Sequence, residues 1–131
     1  MIVVDASALA NAIADDLEDG ERARSEVGSA GDLAAPDLVD VETVAVLRRR
    51  WLAGNLTAHR FRSAIDDLEL LDLDRYPTLP LMRRAYELRH NLTAYDASYI
   101  ALAELLGCEL LTGDRRLAAA PGPTCPIRAL I

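Results

Sequence analysis

Residues 92–114 read LTAYDASYIALAELLGCELLTGD, and the order of residue types in this stretch decides the fold class. Thr93 and Asp96 fit a T-x-x-D capping box, the residues that follow read as a clear helix, and Gly107 stands where that helix stops. Cys108 to Thr112 then reads as a strand, and Asp114 is placed to cap a short helical turn. A helix that enters a strand through a single glycine is half of a βαβ unit.

The same alternation extends outward. Toward the N-terminus, Pro80 opens a helix over LMRRAYELRHN, and LELLDLD before Tyr76-Pro77 suggests a strand. A helix from Thr57 to about Leu68 precedes it. Pro36, suited to a first helical turn, opens the long helix PDLVDVETVAVLRRRWLAG, which Gly54 ends. Leu33-Ala34-Ala35 reads as a short strand, and Glu21 to Val27 as a helix. Ile2-Val3-Val4 is β-branched without alternation, the mark of a strand buried on both faces, and Ser7 is placed to cap a helix from Ala8 to Ala14. Toward the C-terminus, Ile127 to Leu130 adds an edge strand. The expectation is one α/β domain over residues 1–131, with a parallel sheet of four to five strands flanked by helices.

Composition agrees and excludes several classes. The 131 residues are 51% hydrophobic and 27% charged, which fits one packed domain rather than a disordered chain. Lys+Arg number 14 against 21 Asp+Glu, a formal net charge of −7, so a basic coat that grips phosphate everywhere is excluded. The charge is uneven: 11 acids and 2 arginines up to Leu47 give −9, whereas 12 arginines and 10 acids from Arg48 onward give +2. Every basic residue is arginine. Cys108 and Cys125 lack the spacing of a zinc or redox pair and read as reduced, packed thiols. No basic leader and no apolar run of about 20 residues is present, so a soluble, cytoplasmic protein is expected.

In open α/β sheets ligands bind beyond the carboxyl ends of the strands. Asp5 falls at the end of the first strand and Asp114 two residues past the fourth. Asp96 in a first helical turn and Glu42 two turns into the long helix are in reach of the same edge. Glu42 lies nearly opposite Asp40 on its helix and shares a stripe with Leu38 and Ala45, so it needs a partner; Arg49, one heptad on, would serve. Taken singly, Asp96 reads as a cap acid and Asp114 as a turn residue. Together, four such acids would repel one another unless a cation neutralised them, and an oxygen-only set suits Mg²⁺ or Mn²⁺. The implied chemistry is phosphodiester hydrolysis. Ser7 and Thr112 are cap or turn hydroxyls by type, and either could orient a carboxylate. His59 and His90 are isolated. Arginines of the positive half offer local contacts to an RNA backbone, and Tyr95 a stacking surface.

Four pieces in this order, VVDASAL, APDLVDVET, TAYDASYIALAELLG and LLTGDRRL, resemble a PIN domain of the VapC toxin ribonuclease type, from residue 2 to about 117. The resemblance implies that Asp5, Glu42, Asp96 and Asp114 form an acidic catalytic tetrad, with Asp5, Asp96 and Asp114 as metal ligands and Ser7 and Thr112 as supporting hydroxyls. It further implies a Mg²⁺-dependent endoribonuclease, with Mn²⁺ as a substitute. A homodimer, neutralised by a VapB-type antitoxin made alongside it, is implied as well. A phospho-acceptor receiver module fails on its missing acidic pair, its missing central aspartate and the absence of lysine. A haloacid-dehalogenase phosphatase fails because Ser7 stands where its second acid belongs. The remaining alternative is a PIN-like interaction module with little or no nuclease activity.

Overall fold

The computed structural model describes residues 1–130; the expected domain span reaches Ile131, which lies outside the described residues. Strands β1 (Ile2–Val4), β2 (Leu33–Pro36), β3 (Asp74–Tyr76), β4 (Glu109–Thr112) and β5 (Ile127–Ala129) form one parallel sheet in the order β3-β2-β1-β4-β5. β1 sits at the centre because all three of its residues are apolar and buried. Val3 pairs with Ala34 on one side and Leu110 on the other. The outer strands carry exposed Asp74 and Arg75 and half-buried Arg128, as edges tolerate charge.

The helices are α1 (Ala6–Ala14), α2 (Glu18–Ser29), α3 (Val39–Leu52), α4 (Ala58–Leu70), α5 (Met82–Glu87), α6 (Ala94–Leu106) and α7 (Arg115–Ala119). α6 lies across β2, β1 and β4 with α5 against it, while α1 packs with α2, α3 and α4. The run from Ala97 to Ala103 is buried without interruption, so α6 is core on nearly every side. Thr93 caps it by accepting the Asp96 N–H at 3.1 Å, and Gly107 ends it at φ +65°, as expected. No described helix is long and apolar enough to cross a membrane.

Four local expectations are corrected. Asp5, not Ser7, caps α1: its Oδ1 accepts the Ala8 N–H at 2.9 Å, and the helix starts at Ala6. Pro36 ends β2 and does not open α3, which starts at Val39 after Leu38. Proline lacks the N–H that an interior strand position would spend, but a strand's last residue spares it. The leucines of 68–74 do not form a strand. α4 runs through Leu70, which is 84% exposed, and β3 starts only at Asp74. Cys108 precedes β4 rather than opening it. Both cysteines are free and half-buried, and burial pushes the Cys125 thiol up to about 11, the state of a packed thiol.

Candidate active site

A parallel sheet directs every strand's exit to one edge, and at this edge Asp5 leaves β1 beside Thr112 at the end of β4. Asp5 is only 6% exposed. Its Oδ1 accepts the Ser7 hydroxyl at 2.7 Å and the Ala8 N–H at 2.9 Å, and its Oδ2 accepts the Thr112 hydroxyl. Each hydroxyl thereby spends its proton on Asp5 and accepts from the β4 exit: Ser7 Oγ takes the Gly113 N–H at 2.9 Å, and Thr112 Oγ1 the Asp114 N–H at 3.0 Å. Three donors on four lone pairs leave one acceptor position, on Oδ2. Ser7 and Thr112 orient a carboxylate, the second of the two roles their residue type allowed.

Gly113 makes this lacing possible. A Cβ there would lie 3.2 Å from Ser7 Oγ and 3.4 Å from Ser7 Cβ, so a side chain would press on the hydroxyl that holds Asp5. The T-G-D run was the available signal for it.

Glu42 finds its partner in Tyr99, whose hydroxyl donates to Oε1 at 2.8 Å. Tyr99 is 2% exposed and three residues past Asp96 on α6. A tyrosine within an Ala/Ile/Leu run needs a hydrogen-bond partner, a signal that the reading of the sequence passed over. No Glu42–Arg49 ion pair is present among the described residues; Arg49 eases Glu42 only at a distance. Asp40 points elsewhere, to a bidentate pair with Arg75 at 2.7 and 2.9 Å, as expected of the opposite helix face. Asp96 keeps its capping position in the first turn of α6, and Asp114 caps α7 by accepting the Arg116 N–H at 2.9 Å.

The four acids share one electrostatic environment. Burial pushes Asp5 above the usual carboxylate range despite its hydrogen bonds, and Asp96 adds repulsion. Burial also raises Glu42, against the Tyr99 hydrogen bond, with further repulsion from Asp96 and Asp5. Asp96 is raised by burial and then by Asp114. For Asp114 burial is outweighed by hydrogen bonds and charge from Arg116, and its pKa is lowered. Among the described residues no three His, Cys, Asp or Glu converge closely enough to hold an ion on their own. The donor set nevertheless suits a hard divalent cation that keeps waters and takes further oxygens from a phosphate: it is all oxygen, mutually repelling, and has a lone pair of Asp5 to spare.

His59 and His90 are exposed and stand apart from this group. His59 lines a different cavity of about 860 Å³ between α1, the end of α3 and the start of α4, with Asp16, Arg50 and Arg60. Tyr95 is 63% exposed beside Asp96.

The PIN domain family model matches residues 2–123. VapC ribonuclease Mb0985 of Mycobacterium bovis is 46% identical over 127 residues, covering 97% of this chain and 96% of that protein. Ribonuclease VapC1 of Mycobacterium tuberculosis is 48% identical over 95 residues, covering 72% of this chain and 71% of that protein. The crystal structure of PAE2754 from Pyrobaculum aerophilum superposes with a TM-score of 0.70 at 28% identity, over 96% of this chain and 81% of that one. The structure of Mycobacterium tuberculosis VapC20, described as a sarcin-ricin-loop-cleaving toxin, gives 0.71 at 20% identity over 91% and 94%, a likeness of fold.

Proposed function

The chain belongs to the PIN-domain family, among its VapC-type ribonucleases, and on that footing we propose that it is a divalent-metal-dependent endoribonuclease toxin acting at the Asp5, Glu42, Asp96 and Asp114 pocket. The observation that carries the reading is Asp5: a buried carboxylate held by three donors, in a field that other carboxylates make more negative. Such an arrangement costs stability unless something cationic uses it.

Asp5, Asp96 and Asp114 would hold Mg²⁺ or Mn²⁺, with Ser7 and Thr112 keeping Asp5 in its orientation. When bound, the cation supplies positive charge against the phosphodiester's developing negative charge and makes a water easier to deprotonate. Glu42 is the proton acceptor: Tyr99 occupies Oε1, and Oε2 takes the proton of the attacking water as its oxygen bonds to phosphorus; the bond from phosphorus to the leaving oxygen breaks, and that oxygen takes up a proton from solvent. A raised pKa brings this base closer to the operating pH.

The partners of this reading are RNA and a VapB-type antitoxin that silences the pocket, with a homodimer in the cytoplasm as the working form. The test is cleavage of an end-labelled total RNA pool with Mg²⁺ or Mn²⁺, with EDTA, and with Asp5→Asn. Discrete fragments that vanish in EDTA and in the variant are expected. Folded wild type that cuts no more than Asp5→Asn in any metal would leave the interaction module as the better reading.

A further inference from the structure

Among the described residues a single base touches any of the four carboxylates. Arg116, in the first turn of α7, turns its guanidinium back on Asp114, with Nη2 3.3 Å from Oδ2 and Nε 3.4 Å from Oδ1. Asp114 keeps a partner when both contacts open, because Oδ1 also accepts the Arg116 backbone N–H at 2.9 Å. The side-chain pair is long and its arginine 93% exposed, so solvent screens it and little holds it closed. Arg84 shows the contrast: it grips Glu104 at 2.7 and 3.1 Å, adds the Gly122 carbonyl, and is 31% exposed. That guanidinium is committed to the fold, and Arg116's is not.

A polyanion that approaches this pocket meets mutually repelling carboxylates on a chain of net charge −7. Its entry needs fixed positive charge at the rim as well as any cation within. A guanidinium is always charged, and its fork of donors matches phosphate oxygens. We infer that Arg116 is a substrate-binding residue, whose guanidinium leaves Asp114 and takes a non-scissile phosphate of the strand entering the carboxylate pocket. This rests on the ribonuclease reading and adds to it the residue that receives the backbone. Arg116 makes no contact with the reacting atoms, so its contribution falls on binding.

Binding is measured without turnover, in EDTA, by fluorescence anisotropy of fluorescein-labelled fragmented total RNA on an Asp5→Asn parent. Adding Arg116→Ala is expected to weaken binding about tenfold and to flatten the dependence of log affinity on log salt by about one. Arg116→Lys should restore the salt slope but only part of the affinity, because it returns the charge without the fork of donors, and Arg83→Ala, a change at an exposed arginine of α5, should leave both unchanged. In cleavage by otherwise wild-type protein, Arg116→Ala should raise KM by a similar factor and change kcat by less than about threefold. Affinity and slope equal to the parent's, no binding by the parent at low salt, or a fall in kcat at constant KM would overturn the inference; the last would make Arg116 a clamp on Asp114. Metal-dependent cleavage with binding indifferent to Arg116 rejects this assignment alone. Arg116-dependent binding without cleavage by wild type rejects the nuclease reading instead.

Discussion

Glu42 is held by a neutral hydroxyl rather than a cation, and that choice has chemical consequences. An arginine partner would have stabilised the anion and filled the pocket with positive charge; Tyr99 stabilises it without changing the net field. The need for a partner was legible from Glu42's apolar stripe, but its identity was not, because Tyr99 lies 57 residues away in the chain and only tertiary packing brings α3 to α6. Ser7 and Thr112 were legible as hydroxyls near two acids, while their shared grip on Asp5 depends on the β1–β4 pairing. Burial raises the Glu42 pKa and the Tyr99 hydrogen bond opposes that rise. Tyr99→Phe therefore pushes Glu42 further up, and a base that must be ionised loses activity first at low pH. The acid limb of the kcat profile should move to higher pH, with most activity recovered on the alkaline side. Glu42→Gln should cost about 10²- to 10⁴-fold across the whole range. An unshifted limb in Tyr99→Phe would remove Glu42 from the role of base.

At the scale of elements, capping residues guided well for α6 and failed at Ser7 and Pro36, and apolar runs were the weak signal. α6 starts and stops where Thr93 and Gly107 place it, and α4 starts at the Thr57 cap. The leucines of 68–74 failed as a guide because they suit either period. Leu68 is buried as the last core contact of α4, Leu70 is exposed, and Leu73 is buried in the link to β3. Pro36 misled because a proline with fixed φ suits a helix start and a strand end alike. Gly107 offers a clean measure of what a cap contributes. Nothing lies within 4 Å of the Cβ it lacks, so Gly107→Ala meets only the cost of φ +65°, roughly 1 kcal/mol. Urea unfolding should show a lower midpoint with an unchanged m-value, and RNA cleavage at 25 °C should be unaltered. A midpoint equal to wild type would mean that the left-handed turn is not what stops α6.

For the whole molecule, the sheet order explains why Asp5 and Asp114 are neighbours: β1 and β4 are adjacent parallel strands that exit at one edge, where Thr112 bonds to both residues. That much follows from α/β alternation, whereas burial does not, and burial makes the cluster costly. Asp5, Glu42 and Asp96 all have raised pKa values in the folded protein, with burial the largest cause of each. The folded state then binds protons more tightly than the unfolded one, so these groups contribute stability at low pH that is lost as pH rises through their folded pKa values. Asp16, lowered by its Arg60 hydrogen bond, and Glu104, lowered on balance as its Arg84 and Thr124 hydrogen bonds outweigh burial, act the other way. Their contribution is lost as pH falls from the ordinary carboxylate range down through their lowered values. In EDTA, Tm should therefore decline as pH rises from the ordinary carboxylate range through the raised values of Asp5, Glu42 and Asp96, and decline again in stronger acid. Mg²⁺ or Mn²⁺ should recover the deficit at the higher pH, because an ion that binds only the folded state stabilises it. Asp96→Asn should lift Tm in EDTA at that pH, by removing one of the repelling charges, and should blunt the rise on adding metal, by removing a ligand. Equal metal shifts in both proteins would take Asp96 out of the cation's coordination. A Tm in EDTA that climbed steadily with pH through that range would mean that the pocket's acids do not carry the strain that a cation is needed to relieve.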